Sequence, residues 1–118
     1  MIRLKRAYET PSDDDGRRIL VERLWPRGIT KERVHLDLWM KDIAPSAELR
    51  KWFGHDPSKW NEFKRRYWEE LRQNETLVQQ LEQITSKEDV TFVFAAKDTE
   101  HDAAVALKEF IDKDVRSA

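Results

Sequence analysis

A chain of 118 residues has room for one domain, and its hydrophobic fraction of 39% lies well above the range of disordered chains. It contains no cysteine, which removes disulfides, thiolate nucleophiles, Cys-ligated zinc and iron–sulfur clusters together. The net charge of −1 argues against a globally basic nucleic-acid binder, although residues 1–34 carry nine basic against six acidic groups and leave room for a local basic patch.

The chain begins Met1-Ile2-Arg3-Leu4-Lys5-Arg6, with no apolar stretch behind the charges, so no secretory signal is expected. Nowhere is there a run of ~18 apolar residues to span a bilayer. A cytoplasmic protein with no membrane partner is the expectation. Ile2–Tyr8 alternates weakly and predicts a first strand. Pro11-Ser12-Asp13-Asp14-Asp15-Gly16 reads as a mobile acidic turn. Ile19–Leu24 is nearly continuously apolar, as buried parallel strands are, and stops at Trp25-Pro26-Arg27-Gly28. Val34, Leu36, Leu38 and Met40 keep a period of two and predict a third strand, with a helical turn as the alternative.

Helices follow. Ser46 caps a short one carrying Leu49, Trp52 and Phe53 and ending at Gly54. Asp56-Pro57 starts the longest, Asp56–Gln73, with Trp60, Phe63, Tyr67, Trp68 and Leu71 in one stripe. Another after Asn74 turns Leu77, Val78, Leu81 and Ile84 inward. Val90–Ala96 is the best strand, and a polar turn, Lys97–Asp102, leads to a closing helix. That helix has Ala103, Ala104, Leu107, Phe110 and Ile111 inside and Ala106 at its edge, and Arg116-Ser117-Ala118 should fray. Strands separated by helices predict a single small α/β domain over residues 1–118, with a mostly parallel sheet of three or four strands covered by helices.

Three stretches resemble one family. Arg18–Gly28 (RILVERLWPRG), Asp37–Asp56 (DLWMKDIAPSAELRKWFGHD) and Phe94–Leu107 (FAAKDTEHDAAVAL) are similar to the signature of the YeaO-like bacterial proteins, a domain of unknown function. The resemblance runs from about Lys5 to Ile111. It implies a small three-layer α/β fold and no particular reaction.

In open parallel sheets ligands bind beyond the carboxyl ends of the strands. That rule collects Arg23, Trp25 and Arg27 after the second strand, Trp39, Lys41 and Asp42 after the third, and Lys97, Asp98 and His101 after the last. Arg23 and Arg27 suit bidentate contact with phosphate or carboxylate, Lys97 adds a point charge, and Trp25 offers a face for a base or sugar. A final helix beginning near Glu100 or His101 would turn its first amides toward the same anion. Asp98 and His101 are the candidate catalytic pair, since an imidazole titrates near neutrality. The competing reading is structural, with Arg23 paired to Glu22, Asp13 or Asp37, Asp98 a helix cap and Trp25 a plug.

His55-Asp56 and His101-Asp102 match no metal spacing, so no metal is expected. Walker, dinucleotide and G-x-S-x-G patterns are missing, so no cofactor is expected. Lys64-Arg65-Arg66, with Lys59 and Arg72, reads as a solvated helix face balanced by Glu62, Glu69 and Glu70. Function therefore divides three ways. The leading expectation is a domain that binds, or acts on, a small anionic or nucleotide-like ligand. A nucleic-acid module using Arg23, Arg27, Lys97, Trp25 and Trp39 is second, and an interaction module without chemistry is third.

Overall fold

The computed structural model describes residues 1–117, with side chains through Lys113. Strand β1 (Ile2–Arg6) is followed by a 3-10 turn at Asp13–Asp15 and by β2 (Arg17–Leu20). Helix α1 (Lys31–Val34) is a single turn, and β3 (Leu38–Trp39) comes next. Three helices follow, α2 (Ala47–Phe53), α3 (Trp60–Gln73) and α4 (Glu75–Lys87). Strand β4 (Val90–Phe94) and α5 (Ala103–Ser117) end the chain. Ala118, expected to fray together with Arg116 and Ser117, lies outside the described residues.

All four strands are parallel, in the order β1-β4-β2-β3. The last strand in sequence is thus central, and all five of its side chains are buried, as its unbroken apolar run requires. Val90, Phe92 and Phe94 face the main core with Ile2 and Ile19, beneath α2, α3, α4 and α5. Val93 and Leu20 point to the other face, where Ala7, Ile29 and Val34 close a smaller cluster. The three layers are therefore unequal. Four helices cover one face, and the single turn of α1 with its flanking loops covers the other.

Local signals explain the helices. Ser46 caps α2 by accepting the Leu49 amide at 3.2 Å, and Gly54 ends it with φ 54°. Phe63, Tyr67 and Leu71 bury the α3 stripe, and Phe63 stacks on Phe53 of α2 at 4.2 Å. The Tyr67 hydroxyl donates to the Ile43 carbonyl at 2.8 Å, so its buried oxygen is satisfied. No helix among the described residues is long and apolar enough to cross a membrane.

Several expected boundaries move. β2 lies earlier than Ile19–Leu24, because the chain parts from β4 just after Val21, whose amide still reaches the Val93 carbonyl. The predicted strand through Val34, Leu36, Leu38 and Met40 shrinks to two residues: Thr30 caps a helical turn ending at Val34, and His35 leaves it in the left-handed region at φ 53°. Asp56 caps a 3-10 turn, Pro57–Lys59, from which α3 continues at Trp60. Ala106 is fully buried rather than marginal, since the Trp68 indole sits against it and donates to its carbonyl at 2.9 Å. The acidic turn expected to be mobile is held in place. Asp15, 4% exposed, pairs with buried Arg18 at 2.6 Å and with Lys5 at 3.0 Å, and Thr91 donates to its carbonyl. Burial alone would raise the Asp15 carboxyl, but the Ser12 amide and the two cations outweigh it and hold the group below its usual range.

Candidate functional site

With every strand parallel, all carboxyl ends meet at one edge. From β2 the chain leaves toward α1, on the thin face of the sheet, whereas from neighbouring β4 it leaves toward α5, on the helical face. Adjacent strands whose connections diverge to opposite faces define a topological switch point, where open α/β sheets form their ligand crevice. Glu22 spans that point. Had the ladder continued, the Ala95 amide would have met the Val21 carbonyl; instead it donates to Oε1 of Glu22 at 3.1 Å. A carboxylate thus replaces a main-chain acceptor between the two strands.

The residues collected from the sequence do surround this edge, in different roles. Arg23 is largely committed to structure. Its guanidinium donates to the carbonyls of Ala44 at 3.2 Å and Pro45 at 3.3 Å and lies 3.6 Å from Asp42, so its expected partners Glu22, Asp13 and Asp37 give way to the lead-in to α2. Trp25 donates to the Ile29 carbonyl at 2.8 Å and meets Trp39 edge to face, 5.4 Å between centroids. Trp39 donates to the Glu22 carbonyl at 2.7 Å and carries the Lys41 ammonium 5.5 Å from its ring centroid. Arg27 and Lys97 are exposed, and neither pairs with another described residue.

Asp98 closes the turn after β4. One oxygen accepts the amides of Glu100 and His101, and the other lies 3.0 Å from Nδ1 of His101. The Glu100 amide, then the His101 amide and ring, hold its carboxyl below the ordinary value. The imidazole stands edge-on to Trp60, 5.5 Å between centroids. Asp98 does not cap the last helix. That helix starts at Ala103, and its cap is Asp102, whose Oδ1 accepts the Val105 amide at 3.1 Å.

Asp102 and Glu22 are the site residues that sequence reasoning missed. Asp102 is 4% exposed, and its second oxygen, Oδ2, has no hydrogen-bond partner among the described residues. Burial pushes its carboxyl up to about 6 against the pull of the Val105 and Ala104 amides, and the charges of Glu22 and Asp98 add to the rise. Burial also raises Glu22, while the Ala95 amide and the nearby Arg50 and His55 pull it back. The edge therefore combines one buried and one half-buried carboxylate, cations and aromatic rings. Such a set can accept donor groups, balance an anion and hold a proton near neutral pH. Among the described residues no three His, Cys, Asp or Glu side chains are placed to bind a metal ion.

Two open clefts lie at the opposite, amino-terminal edge of the sheet. One, of about 510 Å³, is lined by Pro11, Ser12, Arg18, Arg33, His35 and Asp37 among others. The second, of about 360 Å³, is lined by Gly16, Arg17, Asp37, Glu88 and Asp89. The Lys64-Arg65-Arg66 face is balanced much as expected. Glu62 pairs with Arg65 at 2.6 Å and Arg66 at 2.7 Å, Glu69 takes Arg72 at 3.1 Å, and Glu70 departs to accept from Ser46.

Comparison with known proteins places the chain among relatives. Residues 1–118 match the profile of a family described as the inactive DUF488-N3 subclade. An uncharacterized protein of Mycobacterium tuberculosis strain H37Rv is 40% identical over 111 residues, covering 94% of this chain and 93% of its own length. The uncharacterized protein YeaO of Escherichia coli K12 is 41% identical over 110 residues, covering 93% of this chain and 96% of its own. No solved structure matches the chain.

Proposed function

Since the chain belongs to the DUF488-N3 family, in the subclade described as inactive, we propose that it binds a small anionic, nucleotide-like ligand at the carboxyl edge without transforming it. The observation that carries this reading is the switch point between β2 and β4, where the connections diverge and Glu22 accepts the Ala95 amide in place of a main-chain carbonyl. Around it the chain supplies what such a ligand needs. Arg27 and Lys97 are exposed cations that no described carboxylate offsets, and Arg50 and His55 lie near Glu22. Trp25, Trp39 and Trp60 offer ring faces or edges for a planar group. The word inactive in the subclade's description supports binding over catalysis, and Asp98 then serves to orient His101 as a contact rather than as a general base. The bacterial relatives support action in a bacterial cell.

A thermal-shift screen against mononucleotides, sugar phosphates and short single-stranded oligonucleotides tests the reading, because a ligand selective for the native state raises the melting temperature. Mononucleotides or sugar phosphates should raise it. Arg27→Ala and Lys97→Ala should each weaken the ligand about tenfold while changing stability by under ~1 kcal/mol, since both side chains are exposed. A response to oligonucleotides alone would replace this reading with the nucleic-acid module. A flat screen would leave the edge a structural feature.

A further inference from the structure

The orphaned oxygen of Asp102 has no structural task. Capping α5 uses Oδ1, through the Val105 amide, with the Ala104 amide also drawn to the carboxylate, and an Asn or Ser side chain would cap as well. A second carboxylate oxygen, buried with its residue 4% exposed and without a donor, is a costly arrangement that folded proteins seldom keep. The charge of Asp102 interacts with that of Glu22, which sits at the crevice and offers a second acceptor, since only Oε1 receives the Ala95 amide. Two carboxylates whose charges interact thus stand at this edge, and one of them keeps a buried oxygen without a partner among the described residues.

A bare metal cation is a poor match for this pair. No third His, Asp or Glu completes a coordination set among the described residues, and Arg50 and His55 already lie close enough to Glu22 to offset its charge. A neutral group rich in N–H donors is the better match, particularly if it is planar, because Trp60 and His101 stand at the same turn. Resting on the nucleotide-like reading above, we propose that Asp102 Oδ2 and the second oxygen of Glu22 receive the amino edge of a nucleobase, while the cations of the same edge hold its phosphate.

Calorimetric titration with two pairs of nucleoside 5′-monophosphates tests this directly. GMP differs from IMP only by an exocyclic amino group, and CMP differs from UMP by an amino group in place of a carbonyl. The amino-bearing member of at least one pair should bind ten times or more tighter than its partner, because a buried acceptor left without its donor discriminates strongly. Asp102→Asn keeps the cap oxygen and replaces the orphaned acceptor with a donor, so it should erase or reverse that preference while phosphate-driven binding persists. Glu22→Gln should reduce the preference in the same direction. Equal affinities within both pairs, or a preference that survives Asp102→Asn, would overturn the donor reading and leave the anion site standing. If none of the four nucleotides binds the native protein, the nucleobase reading falls, and the anion reading falls with it when sugar phosphates fail as well. A melting scan of Asp102→Asn at pH 7.5 reports on the same residue without a ligand: a raised or unchanged melting temperature fits a residue kept for binding, and a marked fall makes it a structural cap.

Discussion

Asp102 weakens the fold it caps. Its folded pKa of about 6 lies above the ordinary 3.8, so the native state holds the proton more tightly than the unfolded chain. Stability is therefore greatest when the group is protonated, falls as pH rises from about 4 to about 6, and stays reduced above that. The shift corresponds to roughly 2–3 kcal/mol. Unfolding of Asp102→Asn by urea should show the variant gaining on the native protein by about that much between pH 4 and pH 7.5. A pH-independent difference would mean that Oδ2 is solvated or paired. Arg23 and Trp25 teach the complementary lesson. Residue type and position marked both for the ligand edge, and both also hold the fold there: the guanidinium is anchored by Ala44, Pro45 and Asp42, and the indole edge by Ile29 and Trp39. A polar side chain near a strand end is recruited by whichever main-chain group lies closest, which spacing alone does not reveal.

Elements with strong local chemistry were legible in the sequence. Ser46 and Gly54 bracketed α2, the period of Phe63, Tyr67 and Leu71 fixed the face of α3, and the apolar run of β4 marked it as central. The first half of the chain was harder to read. The alternation of Val34, Leu36, Leu38 and Met40 runs across the end of a helical turn, the exposed left-handed His35 and a two-residue strand, and its inward residues serve both faces of the sheet. β2 ended early because Glu22, not a main-chain carbonyl, takes the next amide of β4; that exchange involves residues 73 positions apart and leaves no local trace. The α3 assignment makes a plain prediction. Phe63, 2% exposed and stacked on Phe53, should lose roughly 3–5 kcal/mol of stability on replacement by Ala, as read by urea denaturation. A loss under ~1 kcal/mol would mean that the α2–α3 contact is loose. Hydrogen exchange should find the amides of Val90–Phe94 among the slowest in the protein, because the strand is paired on both sides and buried on both faces. Fast exchange there would contradict the central position of β4.

The whole molecule divides its labour between the two edges of the sheet. The amino-terminal edge carries a closed ionic network of Lys5, Asp15 and Arg18, further tied to the carbonyls of Val34 and His35, and its open clefts are lined partly by these satisfied groups. At the carboxyl edge, groups are left over: the second oxygen of Asp102, and the exposed Arg27 and Lys97. The proposed site rests on this unpaired chemistry at a topological switch point. The rule that located this edge from sequence needed only parallel strands, whereas the crevice itself depended on the strand order, which no local pattern encodes. The most direct test is an amide-resolved NMR titration with GMP. The account predicts that the shifted resonances cluster in residues 21–28 and 95–105, on both sides of the β2–β4 crevice. Shifts concentrated instead in residues 12–18, 33–37 and 88–89, around the amino-terminal clefts, or no shifts at all, would contradict it.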